Sequence, residues 1–158
     1  MNKKGVTLLE LIVVLVIIAI AATLAVPNIA AWLPNYRLRT ATRDIVSTMR
    51  TAQMKAVSTN LEHRVQFQPD PSICFPDDSE RNARSYIILR ATTMDGGCQE
   101  MPAGIRFHDI DLDGTGSKEA IFNPNSTSTS GSVTLRNKRD REKKIVLFAA
   151  TGRIRVEE

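Results

Sequence analysis

The feature that most constrains this chain is an apolar run near its start: from Val6 to Val26 the only charged side chain is Glu10. As a helix rising about 1.5 Å per residue, a run of that length reaches across the ~30 Å hydrocarbon core of a bilayer, so a membrane-spanning helix is expected over 6–27. An acid in such a helix costs about 2.5–3.5 kcal/mol if it sits deep in lipid without a partner, which marks Glu10 as a functional candidate. Lys3 and Lys4 precede the run and put the short N-terminal end in the cytoplasm by the positive-inside rule. Everything after Pro34 then lies on the far side. A cleaved secretory signal shares the basic start and the apolar middle, and Ala19-Ile20-Ala21 would serve as its cleavage site, giving a mature terminus near Ala22. Such a signal gains nothing from an acid at the head of its apolar run.

With 158 residues the chain has room for that helix and one compact domain, and not for two domains with separate cores. Pro27 and Pro34 predict a kink or local melting between Val26 and Asn35. Beyond them Leu38, Ile45, Met49, Ala52 and Ala56 recur at helical spacing, with Arg37, Arg39, Arg43 and Arg50 mostly off that stripe on a face that reads as solvated. This helix is expected to end near Asn60. The pattern then changes to short period-two segments: His63 to Gln68, Ser85 to Arg90, Gly104 to His108, Glu119 to Phe122, Ser132 to Arg136, Lys144 to Ala149 and Arg153 to Val156. One long helix followed by short strands predicts an α+β fold with antiparallel sheet packed on the helix. Pro69 to Arg84 and Thr92 to Pro102 read as loops.

Cys74 and Cys98 are the only cysteines, and they lack the C-x-x-C spacing of a thiol redox or metal pair. In an exported domain they read as a disulfide closing a loop of about 25 residues, worth on the order of 3 kcal/mol; two separate thiols are the alternative. His63 and His108 do not form an H-E-x-x-H pair, and there is no G-x-S-x-G elbow or glycine-rich phosphate loop, so no enzyme is expected. Asp109, Asp111 and Asp113 before Gly114 resemble the start of a Ca²⁺ loop, but the twelfth position is Ala120, with Glu119 one place early. An acidic turn between strands is the competing reading. No other cofactor is indicated.

Lys4-Gly5-Val6-Thr7-Leu8-Leu9-Glu10, followed by the Ile/Val/Leu/Ala run and Pro27, resembles the class III signal of type IV prepilins and type II secretion pseudopilins. Further on, Ile121-Phe122-Asn123-Pro124 through Thr129-Ser130-Gly131-Ser132-Val133-Thr134-Leu135, with Gly152-Arg153-Ile154-Arg155, is similar to the C-terminal half of the H-type pseudopilin (GspH) and FimT-like minor pilin family. The resemblance covers most of the chain and is weakest over Pro69 to Met101. It implies a type IV pilin-like fold: a leader over 1–5, a transmembrane and filament-core helix over 6–27, and a head over 28–158 in the periplasm or on an extracellular filament, anchored in the bacterial inner membrane. It also implies that a prepilin peptidase cuts after Gly5 and methylates Val6, where this family most often has phenylalanine. Glu10 would then be the fifth residue of the mature chain, facing the amino terminus of a neighbouring subunit. The implied role is that of a non-enzymatic minor subunit of a type II secretion pseudopilus or a type IV pilus, with other pilin or pseudopilin subunits as partners.

The formal net charge of +4 falls to +2 once the two leader lysines are removed, so whole-chain charge says little about nucleic acid. Its distribution says more. Arg136, Lys138, Arg139, Arg141, Lys143 and Lys144 crowd an expected hairpin loop, diluted by Asp140 and Glu142. A second hairpin around Ala150-Thr151-Gly152 carries Arg153 and Arg155, which face solvent together if Ile154 and Val156 face the core. Guanidiniums so arranged suit consecutive phosphates of double-stranded DNA. In FimT-like relatives a G-R-x-R motif is implicated in binding DNA for natural transformation, and Gly152-Arg153-Ile154-Arg155 matches it. Paired arginines that keep a sheet edge soluble are the alternative.

Overall fold

The computed structural model describes residues 7–157, and the side chains of all of these except 24–30. It divides into two compact units, Met1–Leu33 and Pro34–Glu158. A single helix, α1 (Leu8–Thr59), contributes residues to both. Thr7 begins it: its hydroxyl accepts the Glu10 amide at 3.2 Å, the first half of a Ser/Thr-x-x-Glu capping box, and Glu10 brings negative charge to the positive end of the helix dipole. Helical structure runs unbroken through Pro27 and Pro34, so the melting expected between Val26 and Asn35 does not occur. Each proline removes one intrahelical hydrogen bond, a loss that the cooperativity of long helical runs on both sides outweighs.

In the first unit the large apolar side chains from Leu8 to Ile20 are all about half exposed or more, Leu8 at 76% and Ile17 at 61%. Among the described residues no helix is long and apolar enough to cross a membrane. Described side chains in the apolar run stop at Thr23, and from Leu8 that is a rise of only about 24 Å against a core of ~30 Å. The span expected over 6–27 extends past them at both ends.

In the second unit α1 buries one stripe, Leu38, Ala41, Ile45, Met49, Ala52 and Ala56, spaced three or four residues apart. The chain then forms β1 (His63–Phe67), the short α2 (Ser79–Asn82), β2 (Ser85–Arg90), β3 (Thr93–Met94), β4 (Gln99–Glu100), β5 (Ile105–Leu112), β6 (Glu119–Phe122), β7 (Gly131–Asn137), β8 (Glu142–Phe148) and β9 (Arg153–Glu157). Two antiparallel sheets result. One has the order β3-β2-β1-β6, with β4 also on β2; the other has the order β5-β7-β8-β9. Both contribute to a single core with the α1 stripe, and Phe67 of β1 meets Phe107 of β5 edge to face at 5.5 Å, joining the sheets.

The expected strands are present, with β5 running four residues beyond His108 to Leu112. The two-residue strands β3 and β4 and the one-turn α2 fall inside segments read as loops, because pieces that short carry no periodicity. Cys74 and Cys98 are joined across these segments, with Cα atoms 5.7 Å apart. Asn82, buried at the end of α2, receives the Phe75 amide and donates to the carbonyls of Phe75 and Asp78, so a single side chain closes that loop. At the far end of α1, His63 is buried with Nδ1 3.0 Å from the Leu61 carbonyl and Nε2 3.2 Å from Asp95, which also holds Lys55 at 3.0 Å. Hydrogen bonding from Lys55 above all, with the Lys55 and His63 charges behind it, holds the Asp95 carboxyl below its ordinary range.

Candidate functional site

Gly5 and Val6 lie outside the described residues. Glu10 is exposed in the first turn of α1, and among the described residues its carboxylate has no ion pair. Its link to Thr7 is legible in the sequence as Thr7-x-x-Glu10, a signal that the reading of Glu10 as a lone acid overlooks.

The suggested calcium loop does not form. Asp109 and Asp111 sit two positions apart on the extended backbone of β5, not in a loop that could wrap a cation. Asp111 instead accepts the Gly116 amide at 3.3 Å, and Asp113 follows the strand in a left-handed turn at φ 70°. Among the described residues no three His, Cys, Asp or Glu side chains are grouped to hold a metal ion.

The basic residues are gathered by two hairpins, but not onto one surface. In the first, β7 and β8 are joined by a turn at residues 138–141 organised by buried Asn137: its side-chain oxygen accepts the Arg139 and Arg141 amides, and its amide group donates to Asn35 of α1 at 3.1 Å. Register then decides the faces. Lys143 alternates with buried Ile145 and Leu147 and lies on the helix side of the sheet, whereas Lys144 lies on the outer side. Lys144 pairs with Glu157, Val146 with Arg155 and Phe148 with Arg153, so Arg153 and Arg155 share the outer face with Lys144.

That outer face is electrically mixed. Arg136 is bound by Glu142 through Nε at 2.7 Å and also through Nη2, lies 2.6 Å from His108 and 3.8 Å from Asp140, and its hydrogen bonding is the main reason the Glu142 carboxyl is held low. A guanidinium so occupied is a poor phosphate ligand. Lys138, Arg139 and Arg141 are exposed on the turn, while Arg153 and Arg155 are exposed on β9, the latter 3.7 Å from Glu157.

The second hairpin is set by Gly152. It is buried at φ 58°, and a Cβ there would come within 2.5 Å of Gln53 Nε2 on α1 and 2.7 Å of the Ser126 carbonyl. Thus the glycine of Gly-Arg-Ile-Arg is needed where the β8–β9 turn closes against the helix. The expectation that Val156 joins the core fails: Ile154 packs against the core, but Val156 is 41% exposed, because β9 is the last strand of its sheet. Val156 instead lines hollows between α1 and β8–β9 in company with Arg39, Arg43, Arg50 and Lys143. Of the helix arginines read from the sequence as a solvated face, Arg39, Arg43 and Arg50 are therefore one wall of a cleft, whereas Arg37 donates to the Ala103 carbonyl at 3.1 Å.

Residues 41–152 match the family model described as type II transport protein GspH. The chain belongs to this family. Residues 1–26 match the prokaryotic N-terminal methylation motif. No curated protein matches the sequence. Among solved structures, the GspH-family fold seen here is similar to the type IV minor pilin FimU of Pseudomonas aeruginosa, at 16% identity and a TM-score of 0.55, covering 78% of this chain and 90% of that one. It is also similar to the minor pseudopilin EpsH from the type 2 secretion system of Vibrio cholerae, at 11% identity and a TM-score of 0.50, covering 77% and 96%. At such identities the likeness establishes the type IV pilin-like fold: an N-terminal helix with antiparallel sheet.

Proposed function

We propose that this protein is a non-enzymatic minor pilin or pseudopilin, held in the bacterial inner membrane by its N-terminal helix and assembled through it into a type IV pilus or a type II secretion pseudopilus. The observation that carries the reading is the row of exposed apolar side chains from Leu8 to Ile20, interrupted only by Glu10, in a chain whose first 26 residues match the methylation motif. Apolar surface on that scale requires a cover, and lipid before assembly and neighbouring helices afterwards supply it in turn. Prepilin peptidase would cut after Gly5 and methylate Val6. Glu10 would then meet the amino group of a neighbouring subunit, a pairing strengthened by the low dielectric of the helix bundle and favouring one axial register. The head remains in the periplasm or on the filament surface.

Intact mass of the membrane-extracted product tests this first. A mature chain beginning at Val6 and carrying one added methyl group is expected, and a product beginning near Ala22 overturns the assembly reading. Glu10→Ala should be processed and retained in the membrane but lose co-purification with partner subunits.

A second reading, DNA binding for uptake, is favoured by the exposure of Arg153 and Arg155 together on the outer face of β9. The full chain in detergent should retard duplex DNA at low salt, and Arg153→Ala with Arg155→Ala should weaken the complex. Parental binding by that double variant would remove the motif as a site.

A further inference from the structure

Three hollows adjoin along the seam between α1 and the β8–β9 edge. The first is lined by Asn35, Leu38, Arg39, Arg141, Glu142 and Lys143. The second shares Arg39 and Lys143 with it and adds Arg43 and Val156; the third shares Arg43 and Val156 with the second and adds Arg50. They therefore form one trough. Its helix wall follows from the sequence: at about 100° per residue, positions 39, 43 and 50 fall within roughly 40° of one another, a single stripe rising about 16 Å. Val46 lies on the same stripe and Val156 faces it, giving an apolar floor between cationic walls.

Charge pairing separates this stripe from several of the head's other arginines. Arg64 is held by Glu62 and Glu119, Arg81 and Arg84 by Glu100, and Arg136 by Glu142. Arg39, Arg43 and Arg50 are exposed, and among the described residues their side chains have no ion pair or hydrogen bond. Among the described residues the one acid that lines the trough, Glu142, is engaged by Arg136. A row of uncompensated guanidiniums beside a shallow cleft invites an extended polyanion, and helix-borne arginines hold it in register better than arginines on a turn.

We propose that this trough is a second contact surface for the DNA backbone, with Arg39, Arg43 and Arg50 as its phosphate ligands. The inference rests on the DNA-binding reading above and extends it to the opposite side of β9 from Arg153 and Arg155. One strand of B-form DNA advances about 3.4 Å per phosphate, so a stripe of roughly 16 Å can engage several. The contacts are to phosphates and therefore indifferent to sequence.

The test measures duplex binding by the detergent-solubilised full chain, by fluorescence anisotropy across a salt series, on two duplexes of unrelated sequence. Replacing three phosphate contacts should lower the slope of log K against log salt by about 2.7. The triple variant Arg39→Ala, Arg43→Ala, Arg50→Ala is expected to show that loss equally on both duplexes, and the triple lysine variant to restore most of the slope. Since all three side chains are exposed and alanine favours helix, melting of the head should be unchanged. A parent that binds, together with a triple alanine variant of parental affinity and slope, overturns the trough and leaves Arg153 and Arg155 as the site. Absence of binding by the parent at 50 mM salt overturns both readings. Loss of binding to a poly-glutamate peptide with DNA binding intact would make the trough an acidic-protein site, also against the proposal.

Discussion

The two stretches of α1 share a secondary structure and almost nothing else. Up to Ile20 every large aliphatic side chain is about half exposed or more, and no one face is favoured; from Leu38 to Ala56 one stripe is almost wholly buried and the arginines are kept out of it. The second stretch is explained by the head, whose strands cover it. Among the described residues the first has no such cover. A helix that is hydrophobic all round is a demand for surroundings, whereas a helix with one apolar stripe is already part of a core.

The sharpest way to break this contrast is to make the same substitution in both stretches. Ile45→Ala removes a side chain with no exposure and should cost about 2–5 kcal/mol, lowering the Tm of the head by roughly 5–15 °C. Ile17→Ala should leave that Tm unchanged within about 0.5 kcal/mol. Equal effects in detergent-solubilised full-length protein would mean the stretches are not energetically distinct.

Next in size are two glycines that let strands close on the second stretch's side of the molecule. A Cβ on Gly131 (φ 143°) would overlap the Asp111 carbonyl and crowd the Leu112 Cα at 2.8 Å, and one on Gly152 would meet Gln53 and the Ser126 carbonyl. Each alanine variant should lose about 1–3 kcal/mol in thermal melting. Gly131→Ala should be the worse, because all its contacts are backbone and the nearest is tighter than the Ser126 carbonyl at Gly152, where the end of Gln53 can yield.

A comparable loss, about 1–3 kcal/mol, is expected for Asp95→Ala, which leaves buried His63 and Lys55 without their shared carboxylate. The pH dependence has a definite sign. The folded Asp95 carboxyl titrates below its ordinary 3.8, so its contribution is complete above that pH and disappears as pH falls through the lower, folded value. Acid melting curves of parent and variant should therefore converge below pH 3.8. Parallel curves would show that Asp95 is not coupled to folding. The smallest effect belongs to Met54→Ala on the second stretch: 64% exposed, it should behave like Ile17, within about 0.5 kcal/mol.

Much of the fold was legible because it rests on periodicity. The stripe Leu38, Ile45, Met49, Ala52, Ala56 and the alternation in β1, β6, β7 and β8 each report a local geometry that a few neighbouring residues decide. β3, β4 and α2 are too short for any period, and exist because the disulfide, Asn82 and pairing to β2 hold them. The candidate site was legible as a list of residues and not as a surface. Lys143 and Lys144 are adjacent in sequence but stand on opposite sides of a sheet, and Arg136 is already occupied by Glu142. Val156 alternates correctly with Arg155 yet stays exposed, because being last in the sheet leaves it covered on one side less than Ile145.

By itself the sequence determined where the amphipathic part of the helix and the longer strands form, that an acid heads an apolar run, and that a Gly-Arg-Ile-Arg turn lies near the end, since each depends on residues close along the chain. Only the tertiary structure decided which cations share a face, which are neutralised, and that Arg39, Arg43 and Arg50 border the same trough as a strand more than a hundred residues away. Charge acts through space, and the distances that matter are set by strand register and packing against the helix rather than by order in the chain.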